Sequence, residues 1–139
     1  MRSLRTIIAG RTPVTATKTA TVTEAAKEMK RRGVGSVLVL EGTRLVGIFT
    51  ERDALYRVVA VERDPAVTRV GDVMTPQPQT THPDEPFVQA LRTMHEGRFR
   101  HLPVVEFGRP IGIVTVRDAL DEDLAELRFE LEQREEARD

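Results

Sequence analysis

The sequence predicts an α/β chain, of the α+β kind, made of two tandem units that each run helix, strand, turn, strand, helix. Three observations carry this expectation. An offset of 65 residues lays the chain on itself without a gap, and Pro13 to Leu55 then matches Pro78 to Leu120 at 14 of 43 positions, the mark of an internal duplication. Unbroken aliphatic stretches come in pairs, each pair split by a short turn. Each pair also follows a stretch with helix-capping residues and apolar positions at helical spacing.

In the first unit, Thr21-Val22-Thr23-Glu24 has the spacing of a capping box, Ala25, Ala26 and Met29 share one side of the helix that follows, and Gly33 ends it. Val37 to Leu40 and Leu45 to Phe49 read as a hairpin of buried strands around Glu41-Gly42-Thr43-Arg44. In the second unit Asp84 is the expected N-cap, with Pro86 in the first turn of a helix that runs to about Gly97. Strands are expected over Leu102 to Val105 and Ile111 to Val114, separated by Phe107, Gly108 and Arg109. Pro103 has no N–H to give to a ladder, so it should begin its strand or face an edge.

Val58 to Val73 links the units, and Met74-Thr75-Pro76-Gln77-Pro78, aligned with Ala9 to Pro13, leads into the second. Leu120, Leu124, Leu127 and Leu131 form a narrow seam along a last helix, and the charged tail beyond Gln133 is expected to fray. The expected boundaries are 7–62 for the first repeat, 70–124 for the second, and 125–139 for a charged C-terminal helix and tail. Units of this size bury little apolar surface alone, so the halves are expected to share one core.

Composition narrows the function. The chain has 21 basic and 22 acidic side chains for a net charge of −1, without the overall basic bias of a nucleic-acid binder. The run Lys27, Lys30, Arg31, Arg32 reads as a solvated helix face. There is no cysteine, which excludes disulfides, thiolate zinc sites and cysteine nucleophiles. No apolar run is long enough to span a membrane. Arg2 and Arg5 precede only Ile7, Ile8 and Ala9, too short for a secretory apolar region. The expected location is cytoplasmic, with no membrane partner.

The repeated strand-end pattern is the place to look for chemistry. Gly47, Ile48, Thr50, Arg52 and Asp53 return as Gly112, Ile113, Thr115, Arg117 and Asp118. Each threonine and aspartate can form a capping box. The glycine at the end of a buried strand adds that something approaches the backbone closely there. A fixed carboxylate suits the vicinal hydroxyls of a ribose, and a threonine hydroxyl at a helix start suits a phosphate or sugar oxygen.

Arg98, Phe99, Arg100 and His101 gather positive charge at the start of a strand, where an anion would bind. The matching Gly33, Val34, Gly35 and Ser36 offer only backbone N–H groups. The two pockets should therefore differ, with the one involving Arg100 and His101 preferring the more charged end of a ligand. His101 has no second histidine or carboxylate at ligand spacing, and His82 and His95 are assigned to the surface, so no metal site is expected. No nucleophile is paired with a base, and no catalytic residue is assigned.

The repeated segments GVGSVLVL…LVGIFTERDAL and FRHLPVV…PIGIVTVRDAL resemble the cystathionine-beta-synthase-type (CBS) domain pair, from about Ile7 to Leu120. The resemblance implies two β-α-β-β-α repeats packed through their sheets with pseudo-twofold symmetry, and a homodimer of such modules. It also implies clefts between the repeats for adenosine-containing ligands: AMP, ADP, ATP, NAD or S-adenosylmethionine. By motif position, Asp53 and Asp118 would hold ribose hydroxyls, and Thr50 and Thr115 ribose or phosphate. Arg100 and His101, with Arg117, would meet phosphate, and Thr15 and Thr80 would sit near adenine. Gly35 and Ser36 bring no cation, which would leave the Asp53 pocket weak for nucleoside phosphates.

The expectation is a non-enzymatic regulatory module with no catalytic cofactor, binding an adenine nucleotide, AMP first, and signalling to an unidentified effector protein. Two alternatives remain at this point: a nucleic-acid-associated module using Lys27, Lys30, Arg31, Arg32 and Arg98, and an interaction scaffold with vacant clefts.

Overall fold

The computed structural model describes residues 2–138. A short helix α1 (Leu4–Ile8) precedes the first unit, which comprises β1 (Thr15–Ala16), α2 (Val22–Arg32), β2 (Ser36–Glu41), β3 (Arg44–Thr50) and α3 (Glu51–Ala54), extended by a π-helical turn (Leu55–Val59). After α4 (Val70–Val73) and β4 (Thr75–Pro76) come α5 (Phe87–Gly97), β5 (His101–Glu106), β6 (Arg109–Thr115), a 3₁₀ turn (Val116–Asp118) and α6 (Asp121–Arg138). Four strands form one sheet in the order β1-β2-β3-β4, with β1 parallel to β2, and β5 pairs with β6 in a second.

Local chemistry sets the element ends. Thr21 Oγ1 accepts from Glu24 N at 3.1 Å, and Gly33 closes α2 in the left-handed region at φ 65°. Arg98 takes the same left-handed position after α5, at φ 58°. Asp84 does not cap α5. Pro86 occupies the N-cap without a side-chain bond, two residues beyond Asp84, whose carboxylate pairs with Arg5 at 3.1 Å.

The two units do not share one core. One apolar cluster gathers Val22, Ala25, Met29, Val37, Val39, Phe49 and Val58, and a second gathers Phe87, Ala90, Leu91, Met94, Leu102, Val104 and Val114. Each completes itself with the segment leading into the other unit. Val70, Val73 and Met74 close the first cluster, and Leu4, Ile7 and Ile8 close the second. Phe49 and Phe87 are fully buried, and burying such a side chain stabilises by about 1.5–3 kcal/mol.

The approach is close enough that a side chain on Gly47 would collide with Met74, and one on Gly112 would lie 2.9 Å from Ile8 Cβ. β4 accordingly pairs with β3, Ile48 opposite Thr75, and α1 packs on β6. On the opposite face of the strands, Leu38, Ile48 and Pro103 are also buried, and β3 touches β6, so the units meet through their sheets.

Pro103 does not begin its strand but does face an edge, since β5 and β6 form a two-stranded sheet and the side where its N–H would lie carries no further strand among the described residues. It is third in β5, opposite Ile113. Its first-unit counterpart Leu38 donates its N–H to Val14 O at 2.9 Å, the bond a proline cannot make. The segment leading into the second unit is thereby held to β5 by a single bridge, Thr81 to Val104.

The last helix packs back on its own unit. Leu127 joins the second cluster, Arg92 pairs with Glu130 at 3.2 Å and Arg134 pairs with Glu96, while Leu120 and Leu124 stay exposed. The helix continues past Gln133 through Arg138; Asp139 lies outside the described residues. No helix among the described residues is long and apolar enough to cross a membrane.

Candidate functional site

Each Thr-x-x-Asp sits where a strand gives way to a helical turn, and in both copies it forms a reciprocal cap. Asp53 Oδ2 accepts from Thr50 N at 3.0 Å, and Thr50 Oγ1 from Asp53 N at 3.2 Å. Asp118 Oδ2 accepts from Thr115 N at 2.9 Å, and Thr115 Oγ1 from Arg117 N at 3.1 Å. The cap fixes one oxygen of each carboxylate and leaves Oδ1 to look outward. Asp53 Oδ1 receives the Thr75 hydroxyl at 3.2 Å, with Arg57 Nε at 3.7 Å. Asp118 Oδ1 is paired with Arg11 Nη1 at 2.8 Å.

Both aspartates open into cavities, of about 680 Å³ for Asp118 and 990 Å³ for Asp53. Because each leading segment packs on the other unit, each cavity is built from both. The Asp118 cavity combines Thr115 and Asp118 with Gly10–Val14 and Gly33–Ser36 of the first unit. The Asp53 cavity combines Thr50 and Asp53 with residues from Thr75 to Gln79 and from Gly97 to His101 of the second. The expected pairing is therefore crossed: Gly35 and Ser36 line the cavity of Asp118, not that of Asp53. The expectation of a cation-poor Asp53 pocket falls with it, since Arg52, Arg57, Arg98 and Arg100 all line that cavity.

Arg100, His101 and Glu51 line both cavities and form their common wall. His101 does have a carboxylate close by, from a helix start that sequence spacing could not relate to it. Burial pushes its pKa below the ordinary 6.5; Glu51 opposes that, and Arg100 and Arg117 add to it. Thr15 and Thr80 lie just beyond the lining segments and touch neither cavity. Thr15 is opposite Leu38 in the β1–β2 ladder, and it is Gly10–Val14 on one side and Thr75 with Gln77, Pro78 and Gln79 on the other that line the cavities.

The family follows from the chain itself. CBS domains match at residues 5–60 and 70–125. The chain belongs to the CBS domain family. A CBS domain-containing protein of Arabidopsis thaliana is 45% identical over 105 residues, covering 75% of this chain and 19% of that protein. The chain thus spans about a fifth of that relative's length. A putative signal-transduction protein with CBS domains from Burkholderia ambifaria superposes with a TM-score of 0.80 at 36% identity, covering 84% of this chain and 90% of the other. A CBS domain protein from Pyrobaculum aerophilum complexed with AMP superposes at 0.82 with 27% identity, covering 92% and 99%.

Several residues of this CBS pair that face the clefts carried no sequence signal. Arg32 looked like part of a solvated run, yet it lines the Asp118 cavity and donates to Thr12 O at 3.1 Å. Arg31 behaves as expected of that face, pairing with Glu28. Arg11, Glu51, Tyr56 and Thr75 stand outside any spacing pattern. His82 also has company: its ring, Asp84 and Glu106 place ligand atoms within 4.8 Å of one another. Arg5 pairs with both of those carboxylates, at 3.1 and 2.5 Å, and holds Glu106 below its ordinary pKa.

Proposed function

We propose that this CBS pair is a non-enzymatic regulatory module that binds an adenosine-containing nucleotide, AMP first, in the clefts of Asp53 and Asp118 and signals its occupancy to a partner protein. The observation that carries the reading is the doubled arrangement of a capped aspartate facing a cavity of nucleotide size with arginines on its walls. The aspartates suit a ribose diol, and Arg100 with His101 suits a phosphate from either side. The related AMP complex supports the choice of ligand.

Output requires a ligand that prefers one arrangement of the repeats, since equal affinity for two states shifts neither. A surface for a second copy or an effector is offered by Leu55, Tyr56 and Val59 on the helix after Asp53 and by Leu124 and Phe129 on α6, all exposed.

Calorimetric titration with AMP, ATP, NAD and S-adenosylmethionine tests the reading on the native protein and on Asp53→Ala and Asp118→Ala. Loss of a charge-assisted contact should cost about 1.5–3 kcal/mol, roughly a ten- to hundredfold weakening. Absence of binding by all four ligands to the folded native protein would overturn it.

A further inference from the structure

The two clefts differ at the one carboxylate oxygen each presents. In the Asp53 cleft the hydrogen-bond partner of Oδ1 is a neutral hydroxyl, Thr75, at 3.2 Å, with the half-exposed Arg57 guanidinium farther off at 3.7 Å, and the residue that aligns with Arg11 is Pro76. In the Asp118 cleft Oδ1 is held by the Arg11 guanidinium at 2.8 Å. Arg11 comes from the segment leading into the first repeat and lines the same cavity as Asp118, so the ion pair lies where a ribose diol would be received. Asp118 is mostly buried, and Arg11 is half exposed.

We propose that Arg11 makes the Asp118 cleft selective for anionic ligands. The proposal rests on the adenosine-ligand reading above and assigns a ligand class to each cleft. While Arg11 is on Asp118, the carboxylate is neutralised and is a poor acceptor for a diol. A neutral nucleoside must break the pair and leave a guanidinium without its partner, which is unfavourable in a partly desolvated site. A nucleotide brings a phosphate that takes the guanidinium over and releases Oδ1 to the ribose, with Arg32 and Arg117 on the same wall to share the charge. In the Asp53 cleft the Thr75 hydroxyl can turn from donor to acceptor, and Arg57 at 3.7 Å makes no hydrogen bond to Oδ1, so a diol is received without breaking a hydrogen-bonded ion pair and a nucleoside and a nucleotide are both admitted.

The experiment is calorimetric titration of the full chain with adenosine and with AMP, on the native protein, on Asp53→Ala so that the Asp118 cleft reports alone, and on Asp53→Ala with Arg11→Gln. Thermal unfolding checks that each variant folds. With Arg11 present in the Asp53→Ala background, AMP should bind about tenfold or more tightly than adenosine. Arg11→Gln should bring the two ligands together, with adenosine gaining, a gain that damage to the fold cannot produce.

Equal binding of adenosine and AMP while Arg11 is present overturns the proposal, as does equal weakening of both by Arg11→Gln. Binding that disappears entirely with Asp53→Ala overturns the proposal and leaves nucleotide binding standing. Failure of both ligands to bind the native protein overturns the ligand reading on which it rests.

Discussion

Glu51 and His101 converge on Gly35 from the two repeats: a methyl group on that glycine would lie 2.6 Å from Glu51 Oε1 and 3.0 Å from His101 Nε2. The two side chains line both cavities, so a change at Gly35 is felt on each side of one wall. Both obstructing atoms are ends of side chains that can turn away. Gly35→Ala should therefore cost less than the about 1–3 kcal/mol of an overpacked core, while it weakens AMP binding at both clefts. Chemical denaturation beside calorimetry separates the two effects; intact binding at both clefts would remove Glu51 and His101 from the site.

His101 also gives the site a pH dependence whose sign is fixed. Burial, opposed by Glu51, holds its pKa below 6.5 in the folded chain. Below 6.5 the unfolded chain binds the proton more readily, so stability falls as pH drops through that window and stops falling once the folded value is passed. Glu106, held down by Arg5, contributes stability that is lost only at more acid pH, through its own lowered pKa. A bound phosphate favours the imidazolium, so AMP should bind more tightly near pH 6 than near pH 8. Titrations at the two pH values on native protein and His101→Gln test this, and an unchanged pH dependence in the variant would contradict it.

The crossing of the leading segments rests on two glycines. Gly47→Ala drives a side chain into Met74, and Gly112→Ala meets Ile8 at its β-carbon. Each should destabilise by about 1–3 kcal/mol. Gly112→Ala should be the worse, because a β-branched side chain has fewer ways to yield than an unbranched methionine. Urea midpoints of the two variants measure the order, and a larger loss at Gly47 would reverse it.

These glycines also mark the boundary of what was legible in the sequence. The duplicated Gly-Ile-x-Thr-x-Arg-Asp announced the strand ends, the caps and a close approach to the backbone. What approaches is Met74 and Ile8, carried by segments whose sequence says nothing of which repeat they will pack on. The crossed composition of the clefts follows from that packing alone, and so does the placing of Gly35 and Ser36 opposite Asp118. Arg11, Arg32 and Glu51 escaped for the same reason: a charged side chain on a local stretch reads as solvated until tertiary structure brings a cavity to it.

Pro103 offers a test of how the asymmetry of the repeats arises. Its counterpart Leu38 is buried and donates to Val14 O at 2.9 Å, whereas the proline leaves the aligned Gln79 carbonyl without that donor. Pro103→Leu fits a position already shaped for leucine in the first repeat and restores the missing N–H. The new hydrogen bond should contribute about 0.5–1.5 kcal/mol, offset by about 0.4–1 kcal/mol for the greater freedom of the unfolded chain. Net stability should thus change by less than about 1 kcal/mol. The clearer signature is local. Hydrogen exchange should show protection of the amide at position 103 and slower exchange at Thr81, whose N–H already donates to the carbonyl of residue 103 at 3.0 Å. Gln79 lines the Asp53 cleft, so stiffening this segment should also slow ligand release there and leave the Asp118 cleft untouched. An unprotected amide at position 103 would show that something other than the proline keeps the second leading segment off its sheet.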